Sequence, residues 1–470
     1  MEAHEYAHLD AVGLSELIQA NEVSAAEVEA VARRALEEAD ADLNALAQPL
    51  FETALAHEPQ GPLAGVPFVI KDSGPFARGV PFALGSRSIR GAAARVDHDL
   101  MSRFRTAGLV ALGQSTAPEF GLSFSTEPVR YGRTRNPWDL TRGVGGSSGG
   151  SAALVAAGAV PLAHGNDGAG SVRIPAACCG LVGLKPSRGR TPCGPLTGET
   201  GFGQIVEFAL TRTVRDTAHL LDAVCAPTVG DKYIAPPPTR RYTEELCTRP
   251  DRLRVALMTT AWSGTPVDPQ VAQATVAVGQ VLEWIGHDVA EAHPAVDADA
   301  LVEASMLAAV ATGAALLTAP RRPDPSLLEA VSRQVLIETE AFTALDVMAA
   351  ADAQHRVTRP VGRFLTDHDL LVTPTLAQLP APHGTLDYDD PRHTVRSWLR
   401  RIFEYGPFTA AFNVSGNPAI SLPLGQSREG LPIGVQLVAA LGREDLLLRT
   451  AAQLEQAVPW KDREPATFVG

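Results

Sequence analysis

Two glycine-rich turns, each carrying serines, lie close together in the stretch GVGGSSGGSAALVAAGAVPLAHGNDGAGSVRIPAACCG, Gly143 to Gly180. Ser147 and Ser171 stand 24 residues apart, and the alanine-rich segment between them reads as a helix. Glycine loses more backbone freedom on folding than any other residue. A chain that uses so much of it here is expected to need bare backbone N–H groups and accessible serines.

In GNDGAGSVRIPA four successive residues, Gly168, Ala169, Gly170 and Ser171, carry little or no side chain, so their N–H groups can converge on one point. The run SVRIPAACC then begins a helix with Pro175 in its first turn, where proline is tolerated. The positive end of that helix faces the same point. A nucleophilic serine and the donors that hold an oxyanion can coincide at such a place. A plain glycine-rich turn is the competing reading. The other turn, GGSSGGS, lacks the Gly-Lys-Ser/Thr of a phosphate-binding loop. Gly146 to Gly150 matches the GxSxG nucleophile elbow, but that elbow follows a buried strand, and NPWDLTRGV reads as a loop.

A serine nucleophile needs a base. Lys71 closes the apolar run VPFVI, an unusual place for a residue that is mostly exposed. Burial lowers the pKa of a lysine and lets its neutral amine accept a proton. The alternative is a surface pair of Lys71 with Asp72 beside a turn.

Together these pieces resemble the amidase signature family. The resemblance rests on LAGVPFVIKD, TRNPWD, GGSSGGSAA, GNDGAGSVRIPA and CGLVGLKPSRGR, and continues to PAISLPLG and PIGVQLVA near the C-terminus. It covers most of the chain and is vaguest over 227–370. The wording of GNDGAGSVRIPA, FNVSGNPAISLPLG and GREDLLL is most similar to the 6-aminohexanoate cyclic-dimer hydrolase branch of that family. The resemblance implies an amide hydrolase with a Lys–Ser–Ser relay and no cofactor. It makes Ser171 the acyl-forming nucleophile, Ser147 the bridging serine after a cis peptide bond, and Lys71 the base. Gly168, Ala169, Gly170 and Ser171 supply the oxyanion donors, Asp167 and Arg173 are structural partners, and Ser125 and Thr126 are candidate substrate contacts. Two departures stand out: Ala169 replaces a glycine of the usual Gly-Gly-Ser, and Asn166 stands where threonine is common. An amidotransferase subunit working with a partner, and a non-catalytic ligand-binding relative, are the other functions weighed.

The family fold is α/β, a central mixed twisted β-sheet covered by helices on both faces. The 470 residues are expected to form one domain, with a signature core at 63–225, a largely helical elaboration at 227–370 and a return to the sheet at 371–470. Strands are expected at Leu63 to Ile70, Leu109 to Gly113, Arg254 to Thr259 and Asp369 to Thr375, with a strand pair around QSREG. Helices are expected over 10–58, with a capping box at Ser24 and Glu27, at Asp99 to Ala107, and across most of 268–365. Residues 226–250, with three consecutive prolines, read as a surface linker. Pocket walls are expected from 123–131, 300–320 and 376–410.

Acidic residues exceed basic ones by 13, which disfavours a nucleic-acid partner. The N-terminus has no basic-apolar leader, and no uninterrupted apolar run reaches the roughly 20 residues that span a bilayer. A cytoplasmic protein with a small-molecule amide substrate and no membrane partner is expected. A homodimer is compatible with the sequence. The five cysteines are odd in number, contain no CxxC and are expected to be reduced. The scattered histidines give no ligand spacing, so no metal is expected.

Overall fold

The computed structural model describes residues 1–249 and 251–470. Ten strands form one sheet: β1 (Pro67–Lys71), β2 (Val110–Ser115), β3 (Leu162–Asp167), β4 (Val182–Lys185), β5 (Val206–Thr211), β6 (Arg254–Leu257), β7 (Asp288–Glu291), β8 (Leu370–Pro374), β9 (Ala419–Gln426) and β10 (Pro432–Ala439). Their spatial order is β7-β6-β8-β10-β9-β4-β5-β3-β1-β2. Pairing is parallel at both edges, among β7, β6 and β8 and among β3, β1 and β2. It is antiparallel through the centre. Strands from 67–211 and from 254–439 thus share one hydrogen-bonded sheet, and one apolar cluster runs from Tyr6 to Val469. The sheet is flanked by helices, as the family fold implies.

The predicted strands at the N-terminal and C-terminal ends form, as does the antiparallel pair β9–β10. β1 is fully buried along its length, and its last residue is Lys71. The capping box at Ser24 is present, with the Ser24 hydroxyl accepting from the Glu27 N–H and the Glu27 carboxylate accepting from the Ser24 N–H.

Three expectations are corrected. Residues 10–58 are not helical throughout. Helices cover Ala11–Gln19 and Ala25–Leu43, and Asn44 then turns left-handed at φ 51°. The chain beyond runs along β2, where the N–H groups of Ala47 and Phe51 donate to the carbonyls of Gln114 and Leu112. It thereby covers the backbone of an edge strand that would otherwise stay unpaired. The segment between the two serine turns is helical only over Gly149–Ala156; its second half is β3. The region 226–250 is not wholly a surface linker. Asp222 accepts the N–H groups of Tyr242 and Thr243, starting a short helix whose Tyr242 is buried.

Residues 269–367 carry four long helices, Pro269–Trp284, Ala298–Leu317, Ala330–Ala341 and Ala344–Asp367, and the unforeseen edge strand β7. Ala298–Leu317 is long and apolar enough to cross a membrane. Here it packs inside the fold, with Leu301, Met306 and Leu307 among its buried residues.

Candidate active site

Lys71 and Asp72 face different ways, as successive residues of an extended chain must. Asp72 accepts the N–H groups of Ala83 and Gly85, each at 2.8 Å, and the Tyr131 hydroxyl. It braces a loop and does not pair with Lys71 at the surface. Lys71 is completely buried. Its Nζ lies 2.7 Å from Ser147 Oγ and 3.1 Å from Ser148 Oγ, and it donates to Asn166 Oδ1 at 2.6 Å. Burial pushes the Lys71 ammonium down to about 7, although the charges of Glu207, Asp167 and Asp72 act to raise it. The neutral amine is therefore well populated near neutral pH.

The first glycine-rich turn is held by close packing. A Cβ on Gly146 would lie 2.8 Å from the Ser123 carbonyl oxygen and the Ser125 nitrogen. A Cβ on Gly149 would lie 2.2 Å from Thr126 Oγ1, and one on Gly150 2.4 Å from Thr116 Oγ1. These glycines let the helix Gly149–Ala156 begin directly against neighbouring chain, which differs from the bare N–H groups expected of them. The Gly146–Ser147 peptide is cis. Ser151 is turned into the sheet, donating to the His164 carbonyl at 2.7 Å.

The second turn is clamped by a buried ion pair. Arg173 grips Asp167 through Nε and a terminal nitrogen at 3.0 and 2.8 Å. It also donates to the Thr409 carbonyl, Gln436 Oε1 and Asn413 Oδ1. Asp167 Oδ2 accepts the Val172 N–H at 3.1 Å, closing a loop over Gly168 to Ser171. Arg173 and its neighbours outweigh the cost of burial and hold the Asp167 carboxyl at about 2. Gly170 adopts φ +144°, and a Cβ there would meet Thr409 Oγ1 at 2.5 Å. The N–H groups of Gly168, Ala169, Gly170 and Ser171 donate to no protein acceptor among the described residues. The two turns are tied together by the Ser148 N–H, which donates to the Ser171 carbonyl at 3.1 Å.

Ser147, Ser171, Gly168 and Ala169 open onto one cavity of about 320 Å³. Its apolar wall includes Phe120, Leu122 and Trp398, together with one side of the helix Ala298–Leu317. The expected walls from 300–320 and 376–410 contribute, through residues such as Thr312 and Ile402. From 123–131 only Ser123 and Phe124 reach the cavity.

Ser125 and Thr126, expected to touch substrate, are not brought to it. Ser125 Oγ donates to Glu127 at 2.7 Å. Thr126 is buried, and its hydroxyl donates to the Gly145 carbonyl at 2.8 Å, bracing the first serine turn from behind. Among the polar residues that line the cavity and were not named as site residues from the sequence are Asn166, His98 and Glu207. Of these only Asn166 left a signal, as a departure inside GNDGAGSVRIPA. No group of three His, Cys, Asp or Glu side chains among the described residues is arranged to hold a metal ion.

Comparison with known proteins identifies the family. The family model described as Amidase matches residues 14–448. A 6-aminohexanoate-cyclic-dimer hydrolase of Pseudomonas sp. (strain NK87) is 39% identical, over 97% of this chain and 96% of its own. One from Paenarthrobacter ureafaciens is 38% identical, over 97% and 96%. The solved structure of a 6-aminohexanoate cyclic dimer hydrolase complexed with substrate superimposes with a TM-score of 0.93 at 37% identity, covering 98% of this chain and 99% of the other. A bacterial aryl acylamidase of the amidase signature family gives a TM-score of 0.85 at 26% identity, over 97% and 98%. With a family match across most of its length and relatives of this identity and coverage, the chain belongs to the amidase signature family of amide hydrolases.

Proposed function

We propose that this amidase cleaves a small, largely aliphatic amide through an acyl-enzyme on Ser171, with Lys71 as base and Ser147 as the bridge. The observation that carries this reading is the contact of a buried Lys71 Nζ with Ser147 Oγ at 2.7 Å, beside a cavity that also holds Ser171. The neutral Lys71 amine takes the Ser147 proton while Ser147 takes that of Ser171. Ser171 Oγ forms a bond to the amide carbon, and the carbonyl electron pair moves onto oxygen. The unoccupied N–H groups of Gly168 to Ser171 are suited to holding that oxyanion. The proton returns through Ser147 to the nitrogen, the carbon–nitrogen bond breaks, and the amine leaves. Water then releases the acid by the same relay.

Asn166 accepts from Lys71 and aims its Nζ. The Asp167–Arg173 pair shapes the oxyanion loop, and Thr126 supports the Ser147 turn. The apolar wall suits a short aliphatic chain, and the cyclic dimer of 6-aminohexanoate, named for relatives at 39 and 38% identity, is the first substrate to assay. A fluorophosphonate probe should label Ser171, located by peptide mapping. Labelling of Ser148 in its place would support a nucleophile elbow and refute the relay.

A further inference from the structure

Glu207 sits directly across from Asn166 in the antiparallel pair β3–β5, so both side chains lie on the same side of the sheet. Asn166 touches Lys71, and Glu207 is thereby set beside the catalytic lysine, with its carboxylate opening into the cavity. One oxygen, Oε2, lies 3.1 Å from His164 Nε2. The other, Oε1, has no hydrogen-bond partner among the described residues and is not sealed off. Against the effect of burial, the His164 contact and nearby positive charge hold the Glu207 carboxyl below the ordinary glutamate range.

His98 lines the same cavity and is only 4% exposed, yet both of its ring nitrogens are without a partner. Its ring is held edge-on to Phe76 at 5.3 Å. A buried polar group with no partner is costly unless something fills its bonding capacity. Ser73, whose hydroxyl is 3.4 Å from Asn166 Nδ2, also lines this end. The cavity lining contains Glu199 and Glu207 and neither Arg nor Lys. Glu199 is already used, by the Gly203 N–H, Lys232 and Tyr233. Glu207 Oε1 and the ring nitrogen of His98 that carries no proton therefore remain as open acceptors. The groups here are not arranged for a metal ion. A primary ammonium has three donors and no acceptor, which matches what this end of the cavity offers.

We infer that Glu207 and His98 form a subsite for a protonated primary amine carried by the substrate, so that the preferred substrates are amides with a second, cationic amino group. This inference rests on the proposed amidase site but can fail separately from it. The test uses the intact protein and two ligands of equal length, hexylammonium and 1-hexanol, measured by titration calorimetry at neutral pH and by protection of Ser171 from a fluorophosphonate probe. Neither ligand is an amide, so turnover is not needed. Wild-type protein should bind hexylammonium at least about tenfold more tightly than 1-hexanol, the size expected for one charged hydrogen bond. E207Q should abolish the preference while leaving 1-hexanol binding unchanged, and H98Q should reduce it. Should E207Q not fold, E207D keeps the charge on a shorter arm and should give an intermediate preference. Equal affinity of the wild type for the two ligands would overturn the subsite, as would a Glu207 variant that weakens both ligands alike. If labelling maps to Ser148 while the ammonium preference holds, the relay fails and the subsite stands.

Discussion

Lys71 and Lys185 occupy matching places: each is the last residue of a strand of the same sheet, and neither is more than 1% exposed. Burial lowers both to about 7. The difference lies in what each nitrogen meets. Lys71 touches two serine hydroxyls and an asparagine beside the cavity. Lys185 Nζ donates to the Pro186 carbonyl at 2.9 Å, its one hydrogen bond among the described residues, and does not line the cavity. Further, Arg173 repels the Lys185 charge, whereas the neighbours that act on Lys71 are carboxylates. Burial makes an amine neutral, but a hydroxyl within reach is needed to make it a base.

The largest effects should come from the relay itself. Lys71→Ala should lower turnover by about 10²–10⁴-fold, the usual cost of losing a general base. Lys71→Arg should not restore it, because arginine stays protonated. Near-native turnover of a folded Lys71→Arg protein would reduce the lysine to an electrostatic prop.

Next in size is the clamp that borders both lysines. Arg173→Met leaves the Asp167 carboxylate buried without its partner, and should cost about 3–5 kcal/mol of stability. Denaturant unfolding of the two proteins measures this. A loss below 1 kcal/mol, as for an exposed pair, would mean that water or another cation reaches Asp167.

Lys185→Met should leave turnover and its pH dependence unchanged while altering stability. For either lysine the folded pKa, about 7, lies below the unfolded value of ~10.4. Between those limits the unfolded chain binds more protons, so both lysines make stability rise with pH across that window. Lys185→Met should flatten the rise, and an unchanged slope would show that Lys185 is not neutral in the fold. Smallest of all, Ser125→Ala should leave KM unaltered. A several-fold rise in KM would return Ser125 to the substrate.

Much of the proposed relay was legible because its residues sit inside local motifs. Lys71 ends a continuous apolar strand, and both serines lie in short glycine-rich strings. Strands β1, β2, β6 and β8 were legible from runs such as VPFVI and LLVTP. The central strands β3 and β4 were not: AHGND and VGLK contain glycine, lack alternation and are stabilised by neighbours on both sides. Thr126 was misassigned for a related reason. Its hydroxyl has a partner 19 residues away, in the Gly145 carbonyl, and no local pattern reports that. His98 and Glu207 come to the cavity from segments far apart in the chain, so only the assembled sheet reveals them.

The most direct test of Lys71 as the base is the pH dependence of Ser171 acylation, measured as the rate of fluorophosphonate labelling in the wild type, Lys71→Ala and Lys185→Met. The wild type should show a single limb rising with pH, with its midpoint near 7 as the Lys71 ammonium loses its proton. Lys185→Met should retain that limb, and Lys71→Ala should lose it. A limb that persists in Lys71→Ala, or that shifts in Lys185→Met, would contradict the assignment of the base.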